Sequence, residues 1–323
     1  MKGTGIGRRL WRRMRLRLAG RSPHDEAIDL ALSRLQTDVN LLLRRQEHVQ
    51  EALGRIEDRQ LEERDYHGLR QNEYRVFSQW GEDGIIQYLL RHVPVAQRVF
   101  VEFGVEDYSE ANTRFLSVTN NWTGLVIDRD EQAVARLARS RAGLNYGLRA
   151  VNAFVTAENI DDILKPCEVE GEIGLLSIDL DGNDFWVWRA ITVIQPTIVV
   201  IEYNPLFGAE RAVTVPYSTD FNRAKAHPSM TYYGASLKAL CRLGEQKGYA
   251  FVGCNSNGVN AFFVRRDRKP DSVAELSVGE GFVRGTYCEF RDEFGRHVRV
   301  PEEVEKSALA GLPLVEVSTT GTV

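Results

Sequence analysis

Apolar positions along this chain follow three successive patterns. Between Asp25 and Gln60, Ile28, Leu35, Leu42, Val49 and Ile56 recur every seven residues. Leu32, Val39, Gln46, Leu53 and Gln60 form a companion row four residues later. Two such rows over about five heptads are the signature of a coiled coil, with Gln46 at a core position where it would set register at some loss of stability. From residue 98 the period changes. Short β-branched and aromatic runs, bounded by glycine and acids, alternate with helical stretches. After residue 268 the pattern fades into a charged extension.

The middle region begins with Arg98-Val-Phe-Val-Glu-Phe-Gly104, a buried strand with Glu102 at its carboxyl end and an acidic loop behind it. Further strands are expected at Thr123–Asp128, Leu144–Val151, Gly174–Asp179, Pro196–Glu202, Tyr249–Cys254 and Val259–Arg265. Helices fall between them at 131–141, 158–164, 185–194 and 234–247. A helix also precedes the first strand, with Ser78 as its expected cap. Repeated strand–helix units predict a parallel sheet covered on both faces, and the turn Asn255-Ser-Asn-Gly258 closes it with an antiparallel hairpin.

Charge is unevenly distributed. Residues 1–21 carry eight basic groups and no acid, so a net charge of −4 overall leaves the rest at −12. Residues 8–19 alternate basic and apolar groups, and as a helix place Leu10, Trp11, Met14 and Leu18 on one face. Such a helix suits an anionic membrane surface; a merely solvated arm is the blander reading. The acidic body excludes specific nucleic-acid binding. No apolar run is long enough to span a bilayer, and no signal-peptide core is present. Four cysteines without paired spacing suggest reduced thiols and a cytoplasmic location, with the arm touching the inner membrane surface.

Four strands end in an acid: Glu102, Asp128, Asp179 and Glu202. Open α/β sheets bind ligands at this edge, so the four acids suggest one carboxylate-lined crevice. A dinucleotide pyrophosphate needs a glycine-rich loop and unopposed amides. Here Gly104 is followed by Glu106, Asp107 and Glu110, which repel a phosphate but tolerate a positively charged cofactor; a nicotinamide-dependent dehydrogenase is thereby disfavoured. Asp128 is placed to accept both hydroxyls of a ribose.

Val101-Glu-Phe-Gly104, the Asp128 strand, Leu176-Ser-Ile-Asp-Leu-Asp-Gly-Asn-Asp184 and Pro196-Thr-Ile-Val-Val-Ile-Glu-Tyr-Asn204 together resemble the class I S-adenosylmethionine-dependent methyltransferases, and their order is similar to the FkbM-like branch. The resemblance covers about residues 75–265. It implies a Rossmann-like, seven-stranded, mostly parallel sheet and O-methylation of a hydroxyl on a sugar or glycan precursor. It also implies a cofactor site: Glu102 and Gly104 at the methionine end, Asp128 on the ribose, Asn152 and Ala153 flanking the adenine, and Asp179 near the transferred methyl. The family's usual second and third glycines are replaced by Glu106 and Tyr108. A catalytically inactive scaffold of the same fold, assembled through its coiled coil, is the rival reading.

An alcohol acceptor must lose a proton to a base or to a metal. Asp179 and Asp181 are the candidates on the sheet edge. His227, in the long loop 204–233 with Phe207, Tyr217, Phe221, Tyr232, Tyr233, Arg211, Arg223 and Lys225, is a third; a surface histidine is its bland alternative. Asp179, Asp181 and Glu202 would suit a hard cation, but a hydrogen-bonded turn around Gly182 is the simpler account, and no metal is expected. The expected organisation is a basic arm (1–22), a homo-oligomeric coiled coil (23–66, its repeat at 25–60), a methyltransferase domain (67–267) and a C-terminal extension (268–323).

Overall fold

The computed structural model describes residues 23–64, 66–285 and 289–318. The basic arm expected over residues 1–22 lies outside them. The chain divides into two compact units, Met1–Ala52 and Leu53–Val323. In the first, the described residues belong to a single helix, α1 (Pro23–Arg64), which continues into the second. At about 1.5 Å per residue its 42 residues run for about 63 Å. Both heptad rows are solvent-exposed, with Leu35 at 59%, Leu42 at 62% and Leu53 at 58%. No described helix is long and apolar enough to cross a membrane.

The second unit starts earlier than residue 67 because the last turns of α1 pack within it. A Cβ on Gly54 would lie 2.4 Å from a methyl of Val76, and Asp58 pairs with Arg91 at 2.5 Å. In chain order the elements are α2 (Glu82–His92), β1 (Val99–Phe103), α3 (Arg114–Asn120), β2 (Thr123–Asp128), α4 (Glu131–Ala138), α5 (Arg141–Asn145) and β3 (Leu148–Asn152). Then follow α6 (Ile160–Leu164), β4 (Gly171–Ile178), α7 (Asp184–Ala190), β5 (Ile194–Glu202), β6 (Val213–Thr214), α8 (Arg223–Ala226) and α9 (Leu237–Gln246). The hairpin β7 (Tyr249–Cys254) and β8 (Asn260–Arg265), the short helices α10 (Val278–Gly281) and α11 (Glu302–Leu309), and β9 (Val315–Glu316) complete the chain.

Seven strands form one sheet in the order β3-β2-β1-β4-β5-β8-β7. β8 is antiparallel to both of its neighbours and the other pairs are parallel. This is the Rossmann-like architecture expected from the sequence, with the hairpin folded so that its second strand lies inside. Alternate residues serve opposite faces. Val101, Ile127, Leu176 and Val199 pack with Trp186, Trp188 and Leu240 on one side. Phe100, Val126, Leu175 and Val200 pack with Ile85, Leu89 and Leu116 on the other.

Two local expectations shift. β3 begins at Leu148 because residues 141–145 form a helix capped by the Ser140 hydroxyl, leaving Leu144 exposed. α2 begins at Glu82 behind Gly81, whose φ of +92° favours glycine. Ser78 Oγ still accepts the Asp83 N–H at 3.0 Å, so it serves the first turn from outside the helix. The extension after residue 268 is not structureless. Val315–Glu316 pairs with Val213–Thr214, and Leu309, Leu312 and Leu314 pack on Phe207, Val215 and Tyr232. The tail thus covers the long insert after β5.

Candidate active site

Register decides which acids share the crevice. Phe103 aligns with Ile127 and Ile178, and Ile178 with Ile201. The next residues, Gly104, Asp128, Asp179 and Glu202, therefore stand at one level on the carboxyl edge. Glu102 aligns with Val126 and Ser177, two residues further back. The expected row of four acids is thus a row of three with a glycine. All four edge residues line a cavity of about 640 Å³, together with Gln79 and Trp80 from the segment before α2.

Glu102 does not line this cavity. Its carboxylate, 4% exposed, accepts the Asn112 N–H at 2.8 Å, the Thr113 N–H at 3.1 Å, the Thr113 hydroxyl at 2.5 Å and the Ser177 hydroxyl at 3.2 Å. It anchors the far end of the loop that Gly104 begins. Burial pushes its pKa up to about 7 against the opposing pull of these donors.

Gly104 has φ +72°, and a Cβ there would lie 1.8 Å from the Asp179 carbonyl oxygen. No other residue fits. Glu106 and Tyr108, further along the same loop, have φ +47° and +65°. The backbone therefore keeps the left-handed conformation without the residue that favours it, at about 1–2 kcal/mol per position. For Tyr108 the loss is offset by full burial of its ring and by a 3.0 Å bond between its hydroxyl and Thr113. Glu106 is held at its N–H by Asp128 Oδ2 at 2.8 Å. Asp128 Oδ1 accepts the Asp130 N–H at 2.8 Å. The Asp128 carboxylate is fixed by two amides, and each oxygen keeps a lone pair for a ligand hydroxyl.

At the outer end of the cavity, Ala153 and the partly exposed Phe154 follow β3. Asn152 does not line it; its amide donates to the Asp128 carbonyl at 3.0 Å, tying β3 to β2. Phe154 escaped the sequence reading because it lies outside the strand pattern.

At the other end Asp179, Asp181 and Glu202 line the cavity; the fully buried Asp184 does not, although Asp179, Asp184 and Glu202 each place a carboxylate oxygen within 4.8 Å of the others. Asp184 opens α7 and accepts the Leu180 N–H at 2.7 Å and the Gly182 N–H at 2.9 Å. The turn requires positive φ at Asp181 (+55°) and Gly182 (+156°). Burial raises Asp179 and Glu202 well above the usual carboxylate range; repulsion from Asp181 and Asp184 adds to it at Asp179, repulsion from Asp179 adds to it at Glu202, and the Arg223 guanidinium opposes it at both. Asp181 instead pairs with Arg223 at 3.0 Å. Arg223, 8% exposed, also pairs with Glu289, donates to the Met230 carbonyl at 2.5 Å, and stacks 3.7 Å from the Tyr233 ring centre. His227 is not among the lining residues; its Nδ1 bonds the Ser229 hydroxyl at 2.7 Å. The basic and aromatic groups that do reach the cavity from the insert are Phe221, Arg223 and Tyr233. Glu289, from the featureless extension, has no signal in the sequence that would have found it.

No protein-family model matches this chain, and no curated protein does. Among solved structures, the N-terminal domain of EvdMO1 with SAH bound is 12% identical, with a TM-score of 0.38, over 57% of this chain and 80% of that one. A S-adenosylmethionine-dependent methyltransferase from Clostridium acetobutylicum is 9% identical with a TM-score of 0.35, over 57% of this chain and 89% of that one. TehB from Haemophilus influenzae is 11% identical with a TM-score of 0.35, over 57% of this chain and 62% of that one. These likenesses are faint in overlap and in identity alike.

Proposed function

We propose that this chain is a S-adenosylmethionine-dependent methyltransferase of FkbM-like type, acting on a hydroxyl of a sugar or glycan precursor. The reading rests above all on the Gly104–Tyr108 loop. It keeps a glycine-type backbone at Glu106 and Tyr108 and is tied through the Glu106 N–H to Asp128. Backbone strain held by the very carboxylate placed to meet a ribose favours a loop shaped for a ligand over an inactive scaffold.

The residues present suit the cofactor. Asp128 would accept the ribose hydroxyls, and Ala153 with Phe154 would flank the adenine. Gly104 and Asp179 would border the methionine end, among acids that favour its positive charge. A volume of about 640 Å³ is ample for a nucleoside with an acceptor beside it. The bound cofactor would supply a methyl group on a positively charged sulfur. Arg223, Tyr233 and Phe221 form the wall against which an acceptor would be oriented, by stacking and hydrogen bonding. At the Asp179–Glu202 end a carboxylate would take the proton of the acceptor hydroxyl, leaving an oxygen able to receive the methyl group that the bound cofactor would supply.

The exposed heptads of α1 support self-association through residues 25–60, and the basic arm over residues 8–19 suits an anionic membrane surface from the cytoplasmic side. Calorimetry with S-adenosylmethionine tests the central claim. Binding is expected for the wild type and is abolished in Asp128→Ala. No heat of binding at millimolar cofactor would sink the enzyme reading, and wild-type affinity in the variant would remove the ribose assignment.

A further inference from the structure

In a step that rests on the methyltransferase reading, we infer that Trp80 is a cofactor-binding residue whose ring favours the positively charged sulfur over the neutral product. Trp80 belongs to Phe77-Ser-Gln-Trp-Gly-Glu-Asp83, a segment with no part in the assignments above. Residues 76–81 form a strap ahead of α2, and two acids from the first turn of that helix shape it. Asp83, 1% exposed, accepts the Val76 N–H at 2.8 Å and the Phe77 and Ser78 N–H groups at 2.7 Å, all through Oδ2. Glu82, 0% exposed, accepts the Trp80 N–H at 2.8 Å. A buried carboxylate is costly unless it is hydrogen-bonded. Both of these carboxylates fix the course of a short loop whose Gln79 and Trp80 line the cavity.

The ties of the strap locate Trp80 along the cavity. Glu82 Oε1 also accepts the side-chain amides of Asn255 at 2.7 Å and Asn260 at 2.8 Å, and Asn260 is the partner of Glu202 in the β5–β8 pairing. Just before the strap, Glu73 accepts the Ser256 N–H at 3.0 Å, in the turn between β7 and β8. Arg75 reaches the other way and pairs at 2.7 Å with Glu110, in the loop after β1. The sheet order puts the ends of β4 and β5 between those two anchorages, and Asp179 and Glu202 follow there. Phe154, on the adenine side, follows β3 at the far edge of the sheet. Trp80 therefore stands at the methionine end. An indole face is the strongest aromatic partner for a cation, and the acids around it already favour positive charge. That charge disappears when the methyl group leaves, so Trp80 holds the reactant more tightly than the product. An acceptor ring stacked on Trp80 would gain nothing from the charge of the cofactor, which separates the two uses of this side chain.

Calorimetry of the full-length chain with S-adenosylmethionine and, separately, S-adenosylhomocysteine tests this without an acceptor. Trp80→Leu should weaken binding of the charged ligand by about three- to tenfold and that of the neutral one much less, so the ratio of the two affinities falls. Trp80→Phe keeps an aromatic face and should lie between wild type and Trp80→Leu; it carries the test alone if Trp80→Leu does not fold. Tryptophan emission gives a second readout. Among the described tryptophans Trp80 alone lines the cavity, while Trp122, Trp186 and Trp188 are buried elsewhere. Either ligand should shift the emission of the wild type, and the shift should vanish in Trp80→Phe even though calorimetry still records binding. An unchanged affinity ratio in Trp80→Leu, an equal loss for both ligands, or an emission shift that survives in Trp80→Phe would each overturn the inference while the cofactor reading stands. A wild type that binds neither ligand would remove both.

Discussion

Replacing Glu102 by glutamine should change how stability depends on pH more than it changes stability itself. In the unfolded chain this carboxyl titrates near 4.5, and in the folded protein burial raises it to about 7. Below pH 4.5 both states carry the proton. Between 4.5 and 7 the folded state holds a proton that the unfolded state has released, so stability falls as pH rises. At roughly 1.36 kcal/mol per unit, a shift from 4.5 to about 7 amounts to about 3 kcal/mol. Glutamine is neutral throughout and lacks this fall. It carries its own disadvantage, because four groups on three neighbours donate to the carboxylate. An amide NH₂ opposite a donor would lose about 1–2 kcal/mol. The wild type should therefore be the more stable protein near pH 4.5, with the gap closing or reversing by pH 8. Urea denaturation at 25 °C across that range measures the difference directly. Asp83, raised to about 6 by burial, titrates in both proteins and cancels. Parallel profiles for wild type and variant would refute the reasoning and show that the four donors keep Glu102 ionised.

Gly104→Ala should destabilise the protein by about 2–5 kcal/mol, from left-handed backbone strain and from overlap with the Asp179 carbonyl; a urea midpoint close to that of the wild type would contradict the close approach of β1 and β4. Leu35→Asp with Leu42→Asp places charges in the exposed heptad seam. If that seam joins copies of the chain, sedimentation velocity should show the full-length variant as monomer beside an oligomeric wild type, whereas equal sedimentation would mean the seam faces only water.

The sheet was legible because short, near-continuous apolar runs bounded by turn residues mark strands buried on both faces, and β2 and β7 were delimited correctly to the residue. Asp128 and Gly104 were legible for a related reason: a strand-end position determines which residues can reach a ligand. The misplacements share a cause, which is that adjacency in the chain says little about direction at a turn. Glu102 was counted with the edge acids because it closes an apolar run, yet the inter-strand register sets it two residues back, where a loop covers it. Asp181 looked equivalent to Asp179 at a spacing of two. It does line the same cavity, but the left-handed turn at residues 181 and 182 sets its carboxylate against Arg223, while the buried Asp184 turns back to the Leu180 and Gly182 amides. His227 was within reach as a residue but not as a direction, since its ring turns to Ser229; Glu289 was beyond reach because nothing in the sequence of the extension ties it to the insert after β5 on which the extension packs. What the extension does is visible only in three dimensions: through Glu289 it helps to hold the buried Arg223 guanidinium beside Asp181, from where its charge also favours the ionised forms of Asp179 and Glu202.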